Sequence, residues 1–155
     1  MAMASTQGHN DSVLSSLEPG DQVEFERGIY SHWGVYIGDG YVIHLASVDG
    51  QSFNKTEKAV VRKDKIKDVA KNCRINKNNS KKEKHRLKAY SKSEIVKRAS
   101  SQLGRTGYNL IASNCEHFVS WCCYDIEISD QVTEGFELTR KAADMFINWL
   151  LEKSE

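Results

Sequence analysis

His32-Trp33-Gly34-Val35-Tyr36-Ile37-Gly38-Asp39-Gly40-Tyr41-Val42-Ile43-His44-Leu45 is the stretch that decides how this chain folds. Trp33, Val35 and Ile37 on one side of the glycines, and Tyr41, Ile43 and Leu45 on the other, are all apolar and all odd-numbered. Successive side chains of a strand point to opposite faces, so each run presents one apolar face. Two strands joined by a turn share that face only when the connection holds an odd number of residues. The pattern therefore predicts a hairpin with a three-residue loop, Gly38-Asp39-Gly40, in which Gly40 takes the left-handed conformation of a bulged turn. Ile37 then pairs with Tyr41, and Gly34 with His44. His32 and His44 fall together on the even-numbered face, as diagonal neighbours about 7–8 Å apart between α-carbons. A two-residue Asp39-Gly40 turn would separate the histidines and turn half of the apolar pattern to water.

The flanks extend this sheet. Pro19-Gly20-Asp21 is a turn signal that opens an alternating strand over Gln22–Glu26. Residues 1–17 are polar and patternless, and a flexible lead is expected there. Downstream, residues 49–57 read as a polar loop, 59–62 as a short strand, 65–70 as a helical turn and 73–76 as a further strand. Residues 77–88 are rich in lysine and read as a solvated loop, whose functional reading is contact with anionic lipid headgroups. Ser91 or Ser93 caps a helix through Ile95, Val96, Ala99 and Leu103, ended by Gly104. Leu138, Ala142, Met145, Phe146, Trp149 and Leu150 recur by three and four, which predicts an amphipathic C-terminal helix within 131–155.

Composition narrows the class. A chain of 155 residues, 39% hydrophobic and 28% charged, suits one domain with a real core. A net charge of +1 offers nucleic acid no electrostatic footprint. There is no secretory h-region, no N-terminal acylation signal and no apolar run approaching a membrane span of roughly 18 residues. The four cysteines, Cys73, Cys115, Cys122 and Cys123, do not form a disulfide pattern, and a reducing, cytoplasmic setting with free thiols is expected.

The chemistry centres on Asn114-Cys115-Glu116-His117-Phe118-Val119. Asn114 reads as a helix cap, and positions 115, 118, 119 and 122 share one helical face. A helix N-terminus carries partial positive charge and unpaired N–H donors, which favour a thiolate. If this helix packs beside the hairpin, Cys115 meets the histidines: His32 takes the thiol proton and His44 orients His32, as in covalent acyl transfer. Against this stands the ordinary role of a free cysteine on an apolar helix face, a small core residue. His117 lies two residues from Cys115 and points another way, so it is assigned a structural or surface role. A zinc site from Cys115, His117, Cys122 and Cys123 lacks the usual paired spacing.

Pro19-Gly20-Asp21, His32-Trp33, Gly38-Asp39-Gly40-Tyr41-Val42-Ile43-His44 and Asn114-Cys115-Glu116-His117-Phe118-Val119 together resemble the lecithin:retinol acyltransferase-like family, most closely its HRAS-like suppressor branch of phospholipase A and acyltransferases. The resemblance runs from about residue 19 to residue 130. It implies an α+β fold, an antiparallel sheet with packed helices in a circularly permuted NlpC-type papain-like arrangement. It also implies a catalytic domain over 18–130, with Cys115 as nucleophile, His32 as base and His44 as orienting member. Arg27 matches an arginine that helps an oxyanion, and Trp33 and Tyr36 become candidate substrate contacts. The implied reaction takes an acyl chain from a glycerophospholipid onto Cys115 as a thioester. The chain then passes to water, to the amine of phosphatidylethanolamine or to a lysophospholipid. No metal or other cofactor enters.

Unlike the hydrophobic anchor of many relatives, residues 136–151 are interrupted by Arg140, Lys141 and Asp144, so the expected membrane contact is peripheral. The rivals are a papain-like cysteine peptidase or amidase, and a non-catalytic lipid- or protein-binding module. The oligomeric state is not legible in the sequence.

Overall fold

The computed structural model of the chain describes residues 2–28, 31–47, 59–79, 89–107 and 112–124, with the backbone alone for 2–5 and 112–117. The C-terminal amphipathic helix, the loop at 49–57 and most of the lysine-rich stretch lie outside these residues. Helix α1 (Ala2–Ser16) is followed by strands β1 (Gln22–Glu26), β2 (Ser31–Gly38), β3 (Tyr41–Ser47) and β4 (Ala59–Lys65). Helix α2 (Ile66–Ala70), strand β5 (Ile75–Lys77), helix α3 (Lys92–Ser101), strand β6 (Thr106–Gly107) and helix α4 (Ala112–Cys123) complete the order. The strands form one antiparallel sheet in the order β5-β1-β2-β3-β4-β6, so the fold is α+β.

The hairpin keeps the parity that its sequence demands, by a different device. Gly34 pairs with His44, Val35 with Ile43 and Tyr36 with Val42, but the next pair is Gly38 with Tyr41. The turn is therefore the two-residue Asp39-Gly40, with φ of 54° and 81°, the positive values of a type I′ turn. The extra residue that restores the face is Ile37, bulged out of the ladder between Tyr36 and Gly38. The expected Ile37–Tyr41 pair and three-residue loop are replaced by a tight turn plus a bulge.

Both faces of the sheet are covered. On the odd-numbered hairpin face, Val35, Ile43, Leu45, Ala59 and Val61 pack against Ile95 and Ala99 of α3 and against Phe118, Val119, Cys122 and Cys123 of α4. On the even-numbered face, Val23, Phe25 and Val42 pack against Ile66, Val69 and Ala70 of α2, Ile75 of β5, and Val13, Leu14 and Leu17 at the end of α1. Ser91 caps α3 by accepting the Glu94 N–H at 3.2 Å. That helix ends at Ser101, which leaves Leu103 exposed beyond it.

Residues 1–17, expected to be a flexible lead, hold α1 instead. Its docking surface is largely polar, which is why no apolar period announces it. Ile75 sits on the outer edge of β5, and α1 satisfies its backbone with side chains. His9 Nε2 donates to the Ile75 carbonyl at 2.8 Å, and Asn10 Oδ1 accepts the Ile75 N–H at 2.9 Å. Asn10 Nδ2 also donates to the Cys73 carbonyl at 2.8 Å. One asparagine amide thus occupies ladder positions that a further strand would fill.

Pro19-Gly20-Asp21 forms the entry to β1. Gly20 (φ 97°) donates to the Tyr36 carbonyl at 2.7 Å, and a Cβ there would stand 2.6 Å from Lys92 Cβ. Asp21 is fully buried and accepts the Glu18 N–H at 2.8 Å and Asn79 Nδ2–H at 3.2 Å. Lys92 Nζ lies 3.2 Å from its Oδ1 and Lys77 Nζ 3.7 Å from its Oδ2. Burial pushes its carboxyl up, but the Glu18 N–H, Lys92 and Asn79 together outweigh this and hold it below the ordinary value.

Candidate active site

The alternation of β2 and β3 brings His32 and His44 to one face, and their rings meet. His32 is 8% exposed and His44 1%. His32 Nε2 stands 2.7 Å from His44 Nδ1, so an N–H of one ring is donated to the lone pair of the other. The rings are nearly perpendicular, with centroids 5.0 Å apart, and His32 rests on Phe25 at 5.6 Å. Gly34 makes the approach feasible. It lies directly opposite His44 without a side chain, and a Cβ there would come within 3.3 Å of His44 Cβ. The His44 ring leans across that gap to its diagonal neighbour.

Burial is the main electrostatic influence on both rings. It lowers the pKa of His32 well below the ordinary histidine value, with His44 and Arg27 acting in the same direction. It also lowers that of His44, against a partly compensating rise from Asp64. Both imidazoles are therefore neutral at neutral pH, as a proton acceptor must be.

Asp64 is the neighbour that sequence reasoning missed. Its Oδ2 lies 2.7 Å from His44 Nε2. Arg62 donates to the same carboxylate in a fork, Nε to Oδ2 at 2.9 Å and an Nη to Oδ1 at 3.0 Å. The expected strand ended at residue 62, whereas β4 continues to Lys65 and sets Arg62 opposite His44 and Asp64 opposite Val42. The signal was the even-numbered pair Arg62 and Asp64 in continued alternation, hidden because the second half of β4 is polar on both faces.

Cys115 lies in the first turn of α4. The helix begins at Ala112, so Asn114 is inside it rather than its cap, a shift favoured by the helix-forming alanine at its head. Phe118, Val119 and Cys122 are buried against the odd-numbered sheet face, and position 115 continues their helical stripe. This is the face opposite the histidines, so helix and bases do not pack directly side by side.

The far end of α4 is tied to the Gln22 end of β1: Gln22 Nε2 donates to the Tyr124 hydroxyl at 2.9 Å, and Gln22 pairs with Val35. From Tyr124 back to Cys115 the helix spans about 13 Å, whereas from Val35 back to His32 the strand spans about 10 Å. At its start, α4 follows β6, which pairs with Ala59 and Val60 at the end of the sheet where His32 stands.

The remaining candidates are placed elsewhere. Arg27 donates to the Val69 carbonyl at 2.9 Å and to Cys73 Sγ at 3.4 Å, clamping the end of β1 to α2 and reaching the histidines only through its charge. Trp33 packs on the α3–α4 side. Tyr36 lies in the opposite core, its hydroxyl accepting the Gly40 N–H at 3.1 Å. Among the described residues, no group of histidines, cysteines and carboxylates is arranged to hold a metal ion, and no helix is long and apolar enough to cross a membrane.

Comparison with known proteins adds to this geometry. The family described as lecithin retinol acyltransferase matches residues 15–128. The chain is 39% identical over 126 residues to human phospholipase A and acyltransferase 3, covering 76% of each chain. It is 40% identical over 125 residues to human phospholipase A and acyltransferase 1, covering 76% of this chain and 73% of that one. Over 146 residues it is 31% identical to lecithin retinol acyltransferase of Rattus norvegicus, covering 82% of this chain and 63% of that one.

Proposed function

Because this chain belongs to the lecithin retinol acyltransferase family, we propose that it is a thiol phospholipase A and acyltransferase, with Cys115 as nucleophile, His32 as base and His44 as the group that orients the base. The observation that carries this reading is the buried 2.7 Å His32–His44 contact. Neutral, desolvated imidazole suits a base for a thiol, and the early N–H groups of a helix suit a thiolate and then an oxyanion.

His32 takes the proton of the Cys115 thiol, and sulfur attacks the ester carbonyl carbon of a glycerophospholipid. The tetrahedral intermediate collapses with cleavage of the ester C–O bond, and His32 returns the proton to the departing glycerol oxygen. The products are a lysophospholipid and an acyl thioester on Cys115. Water, the amine of phosphatidylethanolamine or a lysophospholipid hydroxyl then gives a proton to His32 and attacks the thioester carbonyl. The C–S bond breaks and the proton goes back to sulfur. Arg27 contributes charge near the bases, and the bilayer is met peripherally. The permuted NlpC-type connectivity and the catalytic unit over 18–130 are part of the same proposal.

Intact-protein mass spectrometry after incubation with phosphatidylcholine vesicles tests the reading. A fatty-acyl adduct that is labile to hydroxylamine and missing in Cys115→Ala is the expected result. Amide hydrolysis with no ester turnover would instead select the peptidase or amidase reading. Vesicle binding unchanged in Cys115→Ala, with no adduct in either protein, would select a binding module.

A further inference from the structure

His32, His44 and Asp64 occupy three adjacent strands on one sheet face, each the diagonal neighbour of the last. Gly34 pairs with His44 and Val42 with Asp64, so the contacts step from β2 to β3 to β4 along one slant. Their polar atoms are spaced at 2.7 Å and 2.7 Å. We infer that Asp64 is a positioning residue of the acyl-transfer site, whose carboxylate sets the tautomer of both rings and so makes Nδ1 of His32 the base; this rests on the assignment of His32 proposed above.

The argument follows from what each group is able to donate. An ionised carboxylate only accepts hydrogen bonds, so the proton between His44 and Asp64 belongs to His44 Nε2. A neutral His44 protonated at Nε2 carries its lone pair on Nδ1. The 2.7 Å contact to His32 is then a donation from His32 Nε2–H. His32 in turn carries its lone pair on Nδ1, and no other assignment satisfies both short contacts with neutral rings. When His32 accepts a proton from the thiol, the positive charge forms at the head of a line that ends in a carboxylate.

Arg62 keeps that carboxylate in the accepting state. Hydrogen bonds from His44 and Arg62 hold the Asp64 carboxyl far below the ordinary carboxylate range. A carboxylate already bound by a guanidinium fork is a poor proton acceptor, so Asp64 orients His44 without taking its proton. The charged groups acting on the two rings are Arg27 from beyond β1 and Arg62 and Asp64 from β4. On β1, the ring against His32 is the uncharged Phe25, and the core beside it on that face is built from Ile66, Val69 and Ala70 of α2.

The test combines ¹⁵N NMR of the histidine side chains in the resting protein with single-turnover thioester formation from phosphatidylcholine. In the wild type, His44 and His32 should both show the Nε2–H tautomer. In Asp64→Asn, His44 should lose that preference, thioester formation should fall about 100-fold, and the acid limb of the rate should move to lower pH. Asp64→Glu should recover at least about tenfold of the loss, which a merely structural role would not predict. Arg62→Met keeps the carboxylate; it should retain the Nε2–H tautomer and move the acid limb to higher pH. An unchanged His44 tautomer and a rate within about threefold in Asp64→Asn would overturn the positioning role alone, provided that His32→Gln abolishes the thioester. Full-rate thioester formation in His32→Gln would overturn both the base and its positioning residue.

Discussion

Replacing Asp21 by asparagine isolates the worth of the buried charge at the head of β1. The carboxylate is fully buried and receives donors at both oxygens, from Glu18 N–H and Lys77 at Oδ2 and from Asn79 and Lys92 at Oδ1. An amide keeps the shape, but its NH₂ must face one of these donor pairs. Hydrogen bonds to a charged acceptor contribute about 1.5–3 kcal/mol, and breaking a buried pair costs about 3–5 kcal/mol. The lysine side chains are 36% and 47% exposed and return to water, which discounts the upper figure. A net loss of about 2–3 kcal/mol follows, or a fall in Tm of about 4–12 °C for a domain of this size.

The sign of its pH dependence is also defined. The folded carboxyl is held below its unfolded value of about 3.9. Its stabilisation is present above that value and is lost as pH falls through the folded value, so the gap between wild type and Asp21→Asn should narrow in acid. Urea denaturation at pH 7 and again at about pH 3 and below measures both effects. A difference under about 0.5 kcal/mol at pH 7 would refute the reasoning, as that is the range of an ordinary surface substitution. So would a difference that stays constant as the carboxyl is protonated.

Gly34→Val should place a branched Cβ 3.3 Å from His44 Cβ and from the Ile43 carbonyl, cutting thioester formation at least about 100-fold and costing about 1–3 kcal/mol by overpacking, read by single-turnover mass spectrometry and urea melts. Burial holds both histidines neutral in the fold, so stability should fall as pH drops below the unfolded value of about 6.5, and His32→Gln should flatten that fall in urea midpoints between about pH 7.5 and 5.5. Asn10→Ala should leave the outward N–H of Ile75 without its side-chain acceptor, costing about 1–2 kcal/mol and accelerating hydrogen exchange at that amide.

The hairpin was legible because alternation is a counting rule: the odd apolar residues had to share a face, and Gly34 had to stand opposite His44. Counting does not say where the extra residue sits, which is why the bulge at Ile37 and the Asp39-Gly40 turn were read together as one loop. Helix α1 was hidden because it holds its neighbour through His9 and Asn10, with the apolar contacts among the described residues made by Val13, Leu14 and the adjoining Leu17. Asp64 was hidden because a strand was sought in apolar alternation, and β4 carries its chemistry on charged residues past Val61. That α4 and the histidines occupy opposite faces could not be read from either segment alone. It follows from the helix packing on the odd face while His32 and His44 are even.

The docking of Asn10 on β5 bears on how the molecule behaves among copies of itself. Among the described residues β5 is the last strand at its side of the sheet, and an unpaired outer ladder is a template on which another chain can add a strand. By filling the Ile75 and Cys73 positions, α1 withdraws that template. A chain lacking residues 2–16 should therefore lose more than a helix. It should acquire a tendency to self-associate through β5, growing with concentration in a way that full-length protein does not show.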